Sequence, residues 1–69
     1  MDQIKEKVNG VVVETLPDTN FKVQLESGQE VLAYLAGKMR MNYIKVMIGD
    51  KVTLELGPDR KRGRIVRRL

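Results

Sequence analysis

Nothing in this sequence can staple a fold. Its 69 residues include no cysteine and no histidine, so there is no disulfide framework, thiolate metal site or imidazole ligand. A domain this small buries only ~60% of the surface its unfolded chain exposes, and scaffolds of this size usually lean on such staples. What remains is a compact closed fold in which one sheet curls around its own side chains. The same absences remove the commonest general base near neutral pH. With no Gly-rich phosphate loop and no acid pair placed for a pocket, the chain does not read as an enzyme, and no cofactor is expected.

Alternation of apolar and polar residues supplies the strands. Val8 to Leu16 is rich in valine, whose β-branched side chains fit a pleated surface, and Gly10 inside the run marks a bulge or sharp bend. Pro17-Asp18-Thr19-Asn20 is turn chemistry. In Phe21 to Glu26, the residues Phe21, Val23 and Leu25 share one face. After Ser27-Gly28 a third strand runs from Gln29 to Ala36, with Val31, Ala33 and Leu35 inward and Leu32 and Tyr34 outward. Lys38 to Met47 predicts a short helix with Met39, Tyr43 and Val46 or Met47 on one face. Ile48-Gly49-Asp50-Lys51 turns into a strand whose inward residues are Val52, Leu54 and Leu56. Gly57-Pro58-Asp59 breaks it, Arg60-Lys61-Arg62 is a basic turn, and Gly63 to Leu69 is the last strand, with Ile65 inward.

Five strands with one short helix between the third and fourth predict an all-β OB-fold barrel, over a small SH3-like barrel that normally lacks the helix. Residues 1–69 read as a single OB-fold RNA-binding domain, with residues 1–6 expected as a flexible N-terminus. No apolar run approaches the ~20 residues of a membrane span, and no signal peptide is visible. The chain reads as soluble and intracellular.

Charge is divided unevenly. Residues 1–35 hold three lysines against six acids, a net of −3; residues 36–69 hold ten cations against three acids, a net of +7, giving +4 overall. A positive half on a small domain is the footprint of a polyanion partner, whereas a surface built for solubility alone more often intersperses the signs. Each Lys or Arg that meets a phosphate releases counterions and makes affinity salt-dependent.

Glu14-Thr15-Leu16-Pro17, Phe21-Lys22-Val23-Gln24-Leu25-Glu26, Gly37-Lys38-Met39-Arg40-Met41-Asn42-Tyr43-Ile44, Gly49-Asp50-Lys51-Val52 and Gly63-Arg64-Ile65-Val66, taken in order, resemble the bacterial-type translation initiation factor 1 family. The resemblance covers nearly the whole chain, and Gly-Lys-Met-Arg followed by Asn-Tyr-Ile is its most specific part. It implies an OB-fold protein that docks on the small ribosomal subunit at its decoding site, occupies the aminoacyl-tRNA position, and contacts ribosomal RNA and a neighbouring ribosomal protein. It also implies cooperation with the other two initiation factors, a monomer when free, and a place in the cytoplasm or an organellar stroma. Three places depart from the family pattern. Met41 stands where a basic residue is frequent, and Tyr34 where a polar residue or histidine is. The turn Asp59-Arg60-Lys61-Arg62 replaces an aromatic-acidic one and is a residue shorter.

Lys38, Arg40, Lys45 and Arg64 match basic positions of the family and are the foremost RNA-contact residues. Arg67 on the final strand joins them as a general electrostatic contributor, in company with Arg60, Lys61, Arg62 and Arg68. Tyr34 either stacks on an unpaired base or is merely exposed. Asn42 either bonds RNA or only caps and bridges its segment. Tyr43 and Phe21 read as core, and Met39, Met41 and Met47 as core filler. Two rival functions stay open: a generic single-stranded nucleic-acid binder on the same barrel, and a protein-interaction barrel whose basic half meets an acidic partner.

Overall fold

The computed structural model describes residues 6–41 and 45–69. Its elements are β1 (Glu6–Leu16), β2 (Asn20–Leu25), β3 (Glu30–Leu35), α1 (Gly37–Met41), β4 (Lys51–Leu56) and β5 (Arg62–Arg68). The five strands close into a barrel in the order β1-β2-β3-β5-β4, with β4 returning to β1. Every pairing is antiparallel except that of β3 with β5. The all-β barrel with one short helix between the third and fourth strands is as the alternation predicts.

Strand parity holds in β2, β3 and β4. Phe21, Val23, Leu25, Val31, Ala33, Leu35, Val52, Leu54, Leu56 and Ile65 fill the interior with Val12, Met39 and Val46. Among the described residues no polar or charged side chain is buried, so the core is held by apolar burial, at about 1.5–3 kcal/mol for each large aliphatic side chain.

β1 is long enough to serve two neighbours, and it starts at Glu6, inside the stretch expected to be a flexible lead-in. Residues 6–11 pair with β4 and residues 10–16 with β2. Gly10 lies at the crossover, opposite both Leu25 and Val52. A Cβ there would sit 2.6 Å from Val23 Cγ1 and 2.8 Å from the Gln24 carbonyl oxygen. Glycine is thus required by close approach of the backbone at the corner. The bulge itself falls a little further on, between Val12 and Glu14, and turns the rest of β1 over by one residue.

The β1–β2 turn takes an unusual route. Asp18 (φ 62°) and Thr19 (φ 56°) are both left-handed, the conformation of a two-residue hairpin that matches strand twist. The Asn20 amide N–H donates to the Pro17 carbonyl at 3.3 Å and its Nδ2 does so at 3.1 Å. A β-branched threonine is strained there.

The helix is shorter than the periodicity predicts. It ends at Met41, and residues 45–47 are not helical. A competing set of bonds claims this segment. The Met47 N–H donates to Asp50 Oδ2 at 2.8 Å, the Asp50 N–H to the Met47 carbonyl at 3.0 Å, and the Gly49 N–H to the Val12 carbonyl at 2.8 Å. Only Met39 and Val46 of the expected helical face are seen to be buried. Met41 is 79% and Met47 57% exposed, so neither is core filler, and Tyr43 lies outside the described residues.

Gly10→Ala should lower stability by about 1–3 kcal/mol, the usual result of overpacking, because the blocking atom at 2.8 Å is backbone and cannot rotate away. Thermal unfolding would register this as a drop of several degrees in Tm, whereas an unchanged Tm would show that the corner has room.

Candidate nucleic-acid interface

Outward parity and register together build one face across β2, β3 and β5. Along one row Asn20 lies opposite Tyr34, Tyr34 opposite Arg64, and Arg64 opposite Glu55; along the next, Lys22 lies opposite Leu32 and Leu32 opposite Arg62. Leu32 and Tyr34 are 46% and 43% exposed. Tyr34 and Arg62 together border two depressions. One of about 520 Å³ opens toward the strained turn at Pro17 and Asp18. The other, of about 350 Å³, opens toward Glu55 and Gly57. An aromatic ring beside cations on an exposed sheet face can stack on a base while its neighbours meet phosphate.

The helix starts beside β5. β3 ends at Leu35, and the Ala36 N–H donates to the Ile65 carbonyl at 2.9 Å, which fixes the start of α1 beside β5. Met39 is the helix's buried anchor. Lys38 and Arg40 on either side of it are exposed, as is Lys45 beyond the helix. Arg67 is exposed near the end of β5, opposite Thr53. Asn42 lies outside the described residues.

Ion pairing divides the cations into two sets. Lys22 pairs with Glu14, Arg60 with Glu6 and Arg68 with Asp50, each at 3.4 Å. Arg64 Nη2 donates to Glu55 Oε1. Among the described residues, Lys7, Lys38, Arg40, Lys45, Lys51, Lys61, Arg62 and Arg67 stand in no ion pair. Exposed pairs contribute little to stability, about 0–1 kcal/mol, so the division matters mainly for which cations can meet an outside anion. The hydrogen bond to Glu55 raises the Arg64 guanidinium above its ordinary value; partial desolvation opposes the shift, and the charge of Glu55 adds to it.

Of the sequence-predicted residues, Tyr34 and Arg64 are brought side by side, Lys38 and Arg40 follow the end of β3 on α1, Lys45 is exposed on the segment before β4, and Arg67 stands further along β5. Arg64 differs from the rest in being engaged within the protein. Arg62, assigned by sequence to a general basic turn, is instead a strand residue next to Leu32 and Tyr34. Counting back from inward Ile65 puts residues 62 and 64 outward. That they lie against residues 32 and 34 depends on the β3–β5 register, which no local pattern carries.

A closed five-stranded barrel with a helix between β3 and β4 and an open face carrying an aromatic among cations is an OB-fold of the oligonucleotide-binding kind. Residues 2–69 match the model of the family described as Translation initiation factor 1A / IF-1, and the chain belongs to that family. It is similar to the solution structure of translation initiation factor 1 from the Wolbachia endosymbiont strain TRS of Brugia malayi. The two share 37% identity and a TM-score of 0.77, over 94% of this chain and 78% of that one. It is also similar to the crystal structure of YjeQ from Thermotoga maritima, at 28% identity and a TM-score of 0.76, over 93% of this chain but 23% of that one. The protein's role is in translation initiation, and its family is not a class of enzymes. Among the described residues no helix is long and apolar enough to cross a membrane.

Asp50 supports the segment that carries Lys45, through the Met47 N–H and through Arg68 Nε. Asp50→Ala should therefore lower stability by about 1 kcal/mol, read as a lower Tm in thermal unfolding. An unchanged Tm would show that the segment after α1 does not depend on Asp50.

Proposed function

We propose that this protein binds the small ribosomal subunit at its decoding site, taking the aminoacyl-tRNA position through contacts with ribosomal RNA. Occupancy there blocks premature tRNA binding and, with the other two initiation factors, favours initiator tRNA in the peptidyl site. The protein acts as a cytoplasmic monomer, with no cofactor and no bond made or broken. The residues that carry contact are Lys38, Arg40, Lys45, Arg62 and Arg67, with Tyr34 as a stacking surface and Asn42 and Arg64 as further polar partners.

The observation that supports this reading most directly is the set of exposed cations without ion pairs on α1, on the segment after it and on β5. An ammonium or guanidinium already matched by a carboxylate gains little from a phosphate; an unmatched one gains the full counterion-release term. Such contacts position the protein without reading sequence, which suits a factor that recognises one site by the shape of a folded RNA.

Chemical footprinting of small-subunit RNA tests the reading. Protection confined to the decoding region is the expected result, and no protection at low salt would sink the proposal. Protection scattered over single-stranded RNA generally, with equal affinity for free oligonucleotides, would instead identify a generic single-strand binder.

Arg40→Ala and Lys45→Ala should each reduce the log–log salt slope of small-subunit binding by roughly 0.7–0.9, the loss of one neutralised phosphate. Their Tm should stay near the parent value, since surface substitutions away from packing features usually change stability by no more than about 0.5 kcal/mol. A sharp fall in Tm would mark these side chains as structural.

A further inference from the structure

α1 carries two methionines in opposite settings. Met39 is 3% exposed and anchors the helix in the core, while Met41, its last residue, is 79% exposed. Helical geometry separates them: at 3.6 residues per turn, positions two apart point about 200° away from each other. Lys38 and Met41, three apart, are neighbours on the open side of α1. A further thioether, Met47, is 57% exposed on the segment before β4. Neither exposed methionine belongs to the core. With no cysteine in the chain, thioethers are its most readily oxidised groups.

We propose that Met41 is a peroxide-sensitive modification site, whose oxidation to the sulfoxide weakens docking on RNA and leaves the barrel intact. The inference rests on the RNA-binding reading above and adds a means of regulating the same surface. The Met41 sulfur forms a bond to one oxygen of hydrogen peroxide, the O–O bond breaks, and the other oxygen leaves as water. Sulfur is oxidised by two electrons and the peroxide is reduced by two. Before the step, Met41 is a flexible apolar chain that can follow the contour of a partner. Afterwards it carries a sulfur–oxygen dipole whose oxygen is partly negative and accepts hydrogen bonds. On the side of α1 that holds Lys38, that oxygen can accept from the ammonium group. It also sets the negative end of a dipole where a phosphate would approach, which repels it. Burial protects Met39, because oxidation follows exposure, so the helix keeps its anchor at doses that modify Met41.

Graded hydrogen peroxide tests the proposal, with each methionine followed by peptide mass spectrometry. Met41 and Met47 should be oxidised several times faster than Met39. At a dose that converts Met41 and spares Met39, with the peroxide then removed, Tm should stay near its untreated value. Affinity for the small subunit should fall several-fold, with a shallower log–log salt slope as Lys38 is drawn off. Met41→Leu keeps an apolar side chain without the sulfur. After the same treatment it should bind as its own untreated form does, whereas Met47→Leu should lose affinity as the parent does.

Oxidation of Met39 as fast as Met41 would overturn the proposal. So would unchanged affinity once Met41 is fully converted, or an equal loss in the Met41→Leu variant. If the untreated protein does not bind the small subunit, the functional reading falls and the effect on docking falls with it. The order of oxidation rates among the three methionines would still be decided by the mass spectra alone.

Discussion

Closure of the barrel depends on the parallel pairing of β3 with β5. It joins Ala33 to Gly63 and Leu35 to Ile65. Gly63 also lets β5 lie close on β4, where a Cβ would come within 2.7 Å of Leu54 Cδ1 and 3.3 Å of the Glu55 carbonyl oxygen. The pairing also sets the binding face, because the register that brings Ala33 to Gly63 brings Leu32 to Arg62 and Tyr34 to Arg64 on the other side of the sheet. α1 is fixed by the same seam through the Ala36–Ile65 hydrogen bond. One register thus fixes the core layer, the aromatic-cationic row and the position of Lys38 and Arg40.

Legibility from sequence follows the range of each interaction. Period-two alternation reports which side of a strand faces the core, and it places Phe21, Val23, Leu25, Val31, Ala33, Leu35, Val52, Leu54, Leu56 and Ile65 inside, where the structure has them. Tyr34 is outward on the same ground. The periodicity overstates the helix because Met39, Val46 and Met47 mimic a helical stripe. Residues 47–50 are held instead in a turn by hydrogen bonds to Asp50, and to Val12 far away in β1. Gly10 announces a distortion in β1, but whether glycine there means a bulge or a close approach depends on β2 and β4 together. The value of each cation is the least legible, since Arg62 and Arg64 look alike in a basic run and differ only in whether a carboxylate on a neighbouring strand is in reach.

That difference divides the cations of one molecule. Among the described residues, those on α1, at Lys45 and at Arg62 and Arg67 of β5 stand in no ion pair and are open to an outside polyanion, whereas Arg64 is already engaged by Glu55.

The place of β5 in the barrel has a kinetic side. It is last in the chain order but lies between β3 and β4; its antiparallel pairing with β4 is local, so β3 presents an unpaired edge until β5 reaches it. Non-local parallel pairings form late, since a long loop must close first, and exposed edges are where partly folded chains associate with one another. The strand that arrives late carries Arg62, Arg64, Arg67 and Arg68, and like charges discourage two such chains from pairing before each has closed on itself. The arginines of β5 would then protect the unfinished barrel from self-association.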